Sequence, residues 1–165
     1  MAQYNIIAEN ENYTIVSDYQ SAYRTSEKYQ TEAQLEQELI KNLTEQGYEY
    51  LAIHTEKDLV DNLRVQLQRL NDYTFTDSEW ERFFNDVIAN QNEGIEAKTA
   101  KIQEDHIQVL KRDTGETKNI YLIDKKNIHN NYLQVINQYE EEQGNHDARY
   151  DVSILVNGLP LVHIE

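Results

Sequence analysis

The sequence predicts an α/β domain, with helices packed on a mixed sheet. Three observations predict it. Between Thr31 and Glu104, Leu, Ile and Val recur at helical spacing behind good capping residues. From His106 onward the pattern changes to alternation, with turn residues between the runs. The last sixteen residues, YDVSILVNGLPLVHIE (Tyr150 to Glu165), form two apolar runs around Asn157-Gly158, a strong short-range hairpin signal. A chain of 165 residues suits one domain with a real core.

Residues 1–30 read as an N-terminal arm, with tyrosines at 4, 13, 19, 23 and 29 and one short strand candidate, Tyr13 to Val16. Residues 31–129 form a helical region and a hairpin. Thr31 with Gln34 makes a capping-box pattern, and Gly47 is placed to stop that helix. Its buried stripe is Leu35, Leu39, Ile40 and Leu43, and Glu36 borders that stripe. Tyr48 to Ile53 reads as a strand or an extended link. Thr55 caps a second helix with the stripe Leu59, Val60, Leu63, Leu67 and Leu70. Thr76 and Glu79 form another capping box before an aromatic helix containing Trp80, Phe83 and Phe84, in which Trp80 reads as a core anchor. A further helix spans Gly94 to Glu104, with Ile95 and Ile102 facing inward. His106 to Leu110 and Asn119 to Ile123 flank Asp113 to Glu116 as a hairpin. Around it cluster Lys111, Arg112, Lys118, Lys125 and Lys126, which are either a phosphate contact or lysines protecting an edge.

Residues 130–165 carry the most specific signal. Leu133 to Tyr139 reads as a strand, followed by a polar loop and then the Asn157-Gly158 hairpin. A two-residue loop would pair Val152 with His163 and mix apolar with polar at each rung. A three-residue loop, Asn157 to Leu159, pairs Val156 with Pro160, Val152 with Ile164 and Ile154 with Val162 on one face. On the other face Ser153 then meets His163, and Asp151 meets Glu165. Register follows the pairing that keeps apolar residues together, so the second arrangement is predicted. Opposed residues have Cβ atoms about 5 Å apart. Two carboxylates that close repel, and a hard cation such as Mg²⁺ between them relieves the repulsion. Such a pair is suited to phosphoryl chemistry.

Thirty acidic residues against 15 basic ones leave a net charge of −15. Over the whole chain that opposes nucleic acid, because phosphate binding depends on Lys and Arg displacing counterions. Either the acidity of a phosphoryl-transfer site is local, or the chain is a non-catalytic acidic module that docks to proteins or mimics DNA. The absence of cysteine excludes disulfides and Cys-based zinc sites, and fits a cytoplasmic location. The five histidines show no metal-ligand spacing. No nucleotide-binding glycine loop and no serine nucleophile elbow occurs. No apolar run reaches membrane-spanning length.

An Asp opening one strand and a Glu in the next resembles the PD-(D/E)xK nuclease motif. The run YDVSILVNGLPLVHIE resembles the nuclease end of the type I restriction endonuclease R (motor) subunit. QEDHIQVLKRDTGETKNIYLIDKKNIHNNYLQVINQY and EAQLEQELIKNLTEQGYEYL resemble the same family, nearest its type IC class, most closely from Thr31 onward. The resemblance implies a restriction-endonuclease-like core and Mg²⁺-dependent cleavage of double-stranded DNA, with Asp151 and Glu165 as catalytic and metal-binding acids. An acid on the first helix, Glu36, would approach the same metal. In the family ATP drives translocation by a motor, and methyltransferase and specificity subunits choose the site. The family pattern continues Glu-x-Lys, and this sequence ends at Glu165. The lysine, the next helix and the motor domains are therefore expected beyond it. The isolated chain is expected to be inactive and poorly stable.

Overall fold

The computed structural model describes residues 5–9, 14–17, 31–141 and 148–164. The chain divides into two compact units, Met1–Thr31 and Glu32–Glu165. In the first, β1 (Asn5–Glu9) and β2 (Thr14–Ser17) pair antiparallel, with Asn5 opposite Ser17. The strand expected at Tyr13 to Val16 is thus present, one residue later. The tyrosines of the expected arm lie outside the described residues.

The second unit begins with α1 (Glu32–Glu45). Gly47, at φ 97°, ends it as expected. The Tyr48 N–H donates to the Leu43 carbonyl at 3.1 Å and the Gly47 N–H to that of Thr44 at 3.0 Å. This bond pair satisfies two terminal carbonyls, and Tyr48 packs in the same cluster as Leu43. Leu39, Ile40 and Leu43 face the sheet. Leu35 does not join them and is 53% exposed. The reason is that the first turn of α1 meets the sheet through a polar contact from Glu36, and apolar packing starts at Leu39.

The two-residue strand β3 (Glu49–Tyr50) precedes α2 (Glu56–Asn71). Thr55 caps α2 by accepting the Asp58 N–H at 3.2 Å. After α3 (Asp77–Phe83) the chain widens into a π-helical turn, Phe84–Ile88, then forms α4 (Ile95–Gln103). Ile95 was expected to face inward but is 80% exposed. No described element covers the first turn of α4, and Ile95 lines an open groove of about 460 Å³ with Val87 and Leu161.

A separate two-stranded sheet follows, β4 (Ile107–Lys111) and β5 (Thr117–Tyr121), with Val109 opposite Asn119. Its inner face gives Leu110 and Ile120 to the largest core cluster, with Leu63, Leu67, Phe75, Trp80, Phe83, Leu122 and Leu159. Trp80 is the core anchor that its sequence context suggested.

The capping box of α3 is built around a buried glutamate. Glu79 accepts from the Thr76 N–H at 3.1 Å, the Tyr73 hydroxyl at 2.8 Å and the Asp113 N–H at 3.0 Å. Burial pushes its carboxyl up, but these three bonds outweigh it and hold Glu79 below the ordinary value. Glu79→Ala leaves three donors without an acceptor and is expected to cost about 3 kcal/mol. The unfolded chain binds this proton more readily than the folded one. The contribution of Glu79 is therefore present above the ordinary glutamate pKa of about 4.3 and is lost as pH falls through the lower folded value. Denaturant midpoints across that range, for the wild type and Glu79→Gln, check the sign.

The main sheet uses β6 (Leu133–Glu141), β7 (Ala148–Val156) and β8 (Leu159–Ile164), in the order β3-β6-β7-β8. β3 runs parallel to β6, and the other pairs are antiparallel. Val135 and Val152 face α1, while Ile136 and Leu155 pack with Leu59 of α2 on the opposite face. The result is a mixed sheet between helices, the α/β class that the sequence predicted.

The predicted hairpin register needs one correction. The loop has two residues, not three, since Val156 pairs with Leu159. Asn157 at φ 52° and Gly158 at φ 81° match the tight turn whose twist suits paired strands. Leu155 then pairs with Pro160 but Ile154 with Val162, so Leu161 is an extra, bulged residue. The bulge restores the expected offset, with Ser153 opposite His163 and Val152 opposite Ile164. Pro160 was the overlooked signal, because proline in a strand marks an edge or a bulge.

Candidate active site

The site is built on the outer half of β7. Val152 and Ile154 turn toward α1, where Ile164 joins them. Ser153 and Leu155 turn the other way. Ser153 is buried and shares a 2.8 Å hydrogen bond with His163 Nδ1. This settles the shared face expected for these two residues and gives the histidine a structural partner. Asp151, half-buried, is the next residue on the Ser153 side by the period of two. Glu165 lies outside the described residues.

The neighbouring strand is irregular at this level. Asn137 pairs with Val152 and Tyr139 with Tyr150. Between those rungs, across from Asp151, Gln138 adopts φ 53°. A non-glycine residue in the left-handed region inside a strand is uncommon, and such strain gathers where side chains are re-aimed for function. Nothing in the sequence around Gln138, which has no adjacent glycine, announces it.

Glu36 does come to the sheet, but to the α1 side. Its Oε1 accepts from Asn137 Nδ2 at 2.6 Å, and Asn137 Oδ1 accepts from the Tyr50 hydroxyl at 2.8 Å. Asn137 shares a rung with Val152, so strand alternation assigns Glu36 and Asp151 to opposite faces. Asn137 and Tyr50 were not singled out by sequence, since neither stands in a recognisable pattern. Among the described residues no group of three or more His, Cys, Asp or Glu side chains is gathered for a metal ion.

The far end of β7 is fixed tightly. The Asn157 side chain accepts the Tyr132 N–H at 2.9 Å and donates to the Leu122 carbonyl at 3.0 Å and to Asn131 Oδ1 at 2.8 Å. One buried amide thus ties the turn to the start of β6 and the exit of β5. The most strongly shifted acid lies elsewhere. Hydrogen bonds from Ser78, Thr76 and Arg82 hold the Asp113 carboxyl well below the usual carboxylate range. They join the β4–β5 turn to the start of α3, so this shift marks a structural junction and not chemistry.

Helices on both faces of a mixed sheet, with an acid within its interior strand β7, define an α/β domain of restriction-endonuclease-like layout. Residues 29–165 match the family model described as the type I restriction enzyme R protein N terminus. An Escherichia coli relative, the type I restriction enzyme EcoprrI endonuclease subunit, is 46% identical over 160 residues, covering 96% of this chain and 51% of its own length. The SsaAORF53P endonuclease subunit of Staphylococcus saprophyticus is 37% identical over 142 residues, covering 83% of this chain and 15% of its own. The SauCOLORF180P endonuclease subunit of Staphylococcus aureus is 37% identical over 144 residues, with the same coverage. The chain belongs to the family of type I restriction enzyme R protein N termini, and it spans about half of one of these relatives and less of the others.

Proposed function

We propose that this chain is the DNA-cleaving part of a type I restriction enzyme R subunit, hydrolysing phosphodiesters of double-stranded DNA. The observation that carries the reading is the β7–β8 register, which follows the offset that would bring positions 151 and 165 opposite one another. The relatives' description as endonuclease subunits supports the same reading.

Asp151 and Glu165 are the acids assigned to Mg²⁺. Their donors are hard carboxylate oxygens, which suit that ion, and Asp151 is half-buried, leaving room for the waters Mg²⁺ keeps. Bound there, Mg²⁺ would supply charge stabilisation and an activated water for attack on phosphorus. The chain's own part is to hold the aspartate on a rigid central strand, with the distorted Gln138 across from it. Coupling to ATP-driven translocation, and assembly with methyltransferase and specificity subunits, are proposed for the whole subunit.

The test is isothermal calorimetry with Mg²⁺ and Mn²⁺. Binding that Asp151→Ala removes supports the reading. Heat that is unchanged in that variant overturns it, and favours an acidic docking module. Glu36 is assigned the bond to Asn137 in place of a metal contact. Glu36→Ala is therefore expected to cost about 1–2 kcal/mol in denaturant unfolding, by leaving the Asn137 amide unpaired, with metal affinity unchanged.

A further inference from the structure

Gln138 holds a left-handed backbone, φ 53°, in the interior of β6. That conformation is costly for any residue with a Cβ. Three structural causes would account for it, and none applies. An inserted residue would shift the register, but Asn137 pairs with Val152 and Tyr139 with Tyr150, so both strands place one residue between these rungs. A chain reversal would end the strand, but β6 runs on to Glu141. Packing would bury the side chain, but Gln138 is exposed, whereas Ile136 two residues earlier is buried. Strain that the fold does not require points to what the side chain must reach.

The register sets what lies within reach. With both flanking rungs in place, Gln138 stands across from Asp151 on the neighbouring strand, and the ladder skips only this rung. Opposed Cβ atoms lie about 5 Å apart. β8, which leads to position 165, flanks β7 on its other side. The two acids therefore border one side of Asp151, and Gln138 borders the other. Among the described residues no hydrogen-bond partner takes up the Gln138 amide. The amide of Asn137, one residue earlier, is bonded to Glu36 at 2.6 Å on the opposite face.

We propose that Gln138 is a substrate-contacting residue, whose side-chain amide donates to a phosphate oxygen of the DNA strand held beside Asp151. The proposal rests on the nuclease reading for its substrate. A carboxamide suits this place because it is a donor without charge. A lysine here would pair with Asp151 and compete with the metal ion for it. Glutamine leaves the carboxylate to the ion and still offers two N–H groups to phosphate.

The test is plasmid cleavage by the assembled enzyme, with thermal melts of the same variants. Gln138→Gly removes the amide together with the conformational penalty, since glycine adopts positive φ freely. It is expected to cleave about 10- to 100-fold more slowly, as for one lost hydrogen bond to a charged group, and to melt no lower than the wild type. Gln138→Glu keeps the side chain's shape but replaces the donor with a charge that repels phosphate, and is expected to lose at least as much activity. Wild-type cleavage by Gln138→Gly overturns the proposal. So does a lowered melting temperature in that variant, because the left-handed residue would then serve the fold. Asp151→Asn in the same assay separates the two readings. If it is inactive while Gln138→Gly cleaves normally, only the phosphate contact falls. If it cleaves as the wild type does, the nuclease reading itself falls.

Discussion

Gly158→Ala is expected to lower stability by about 3–4 kcal/mol, enough to unfold a marginal domain. Two independent costs add at this position. A methyl group there meets the Leu63 backbone, with Cα at 2.6 Å and N at 3.1 Å. The neighbour is the main chain of α2, inside its hydrogen-bond ladder, so it cannot rotate aside. The φ of 81° adds a conformational penalty of about 1 kcal/mol for any L side chain. Gly115 isolates the second cost. Its φ is 87°, but nothing lies within 4 Å of the added carbon, so Gly115→Ala is expected to cost only about 1 kcal/mol. Urea titration of the two variants side by side checks the difference. Equal losses would mean that the close approach of the turn to α2 contributes nothing.

The second large effect concerns chemistry with the fold left intact. On the function proposed above, Asp151→Asn is expected to reduce DNA cleavage by the assembled enzyme about 10³-fold, the equivalent of about 4 kcal/mol of lost transition-state stabilisation. Its melting temperature is expected to stay near that of the wild type, because Asp151 is only half-buried in β7 and belongs to none of the core clusters. Cleavage assays with supercoiled plasmid, paired with thermal melts, separate the outcomes. Retained cleavage would remove Asp151 from the site. A collapse in melting temperature would make its role structural.

The elements were largely legible because each carried a local physical signal. Thr55 and Thr76 cap the helices that their spacing indicated, and Gly47 ends α1 through the bonds that a left-handed residue permits. Errors arose where the outcome depended on how far a neighbour extends. Leu35 and Ile95 have the right period for burial, but helical period says nothing about where the covering surface stops. The loop of the β7–β8 hairpin differs from the sequence expectation because two devices give the same outer register: a longer turn, or a tight turn followed by a bulge. Of the candidate site, only the strands β7 and β8 were legible in the sequence. The left-handed Gln138 and the Glu36–Asn137–Tyr50 chain join residues far apart in sequence, which no local pattern reports.

The bulge at Leu161 also makes one inserted residue serve both faces of the outer strand. The same inserted position that brings Ile164 beneath α1 presents His163 to Ser153 on the far face. Losing a residue there would exchange the two faces of the outer strand, uncovering the hydrophobic interior and misdirecting the polar surface in a single event. A deletion in this hairpin is therefore expected to upset both faces together, where a substitution disturbs only the face it lies on.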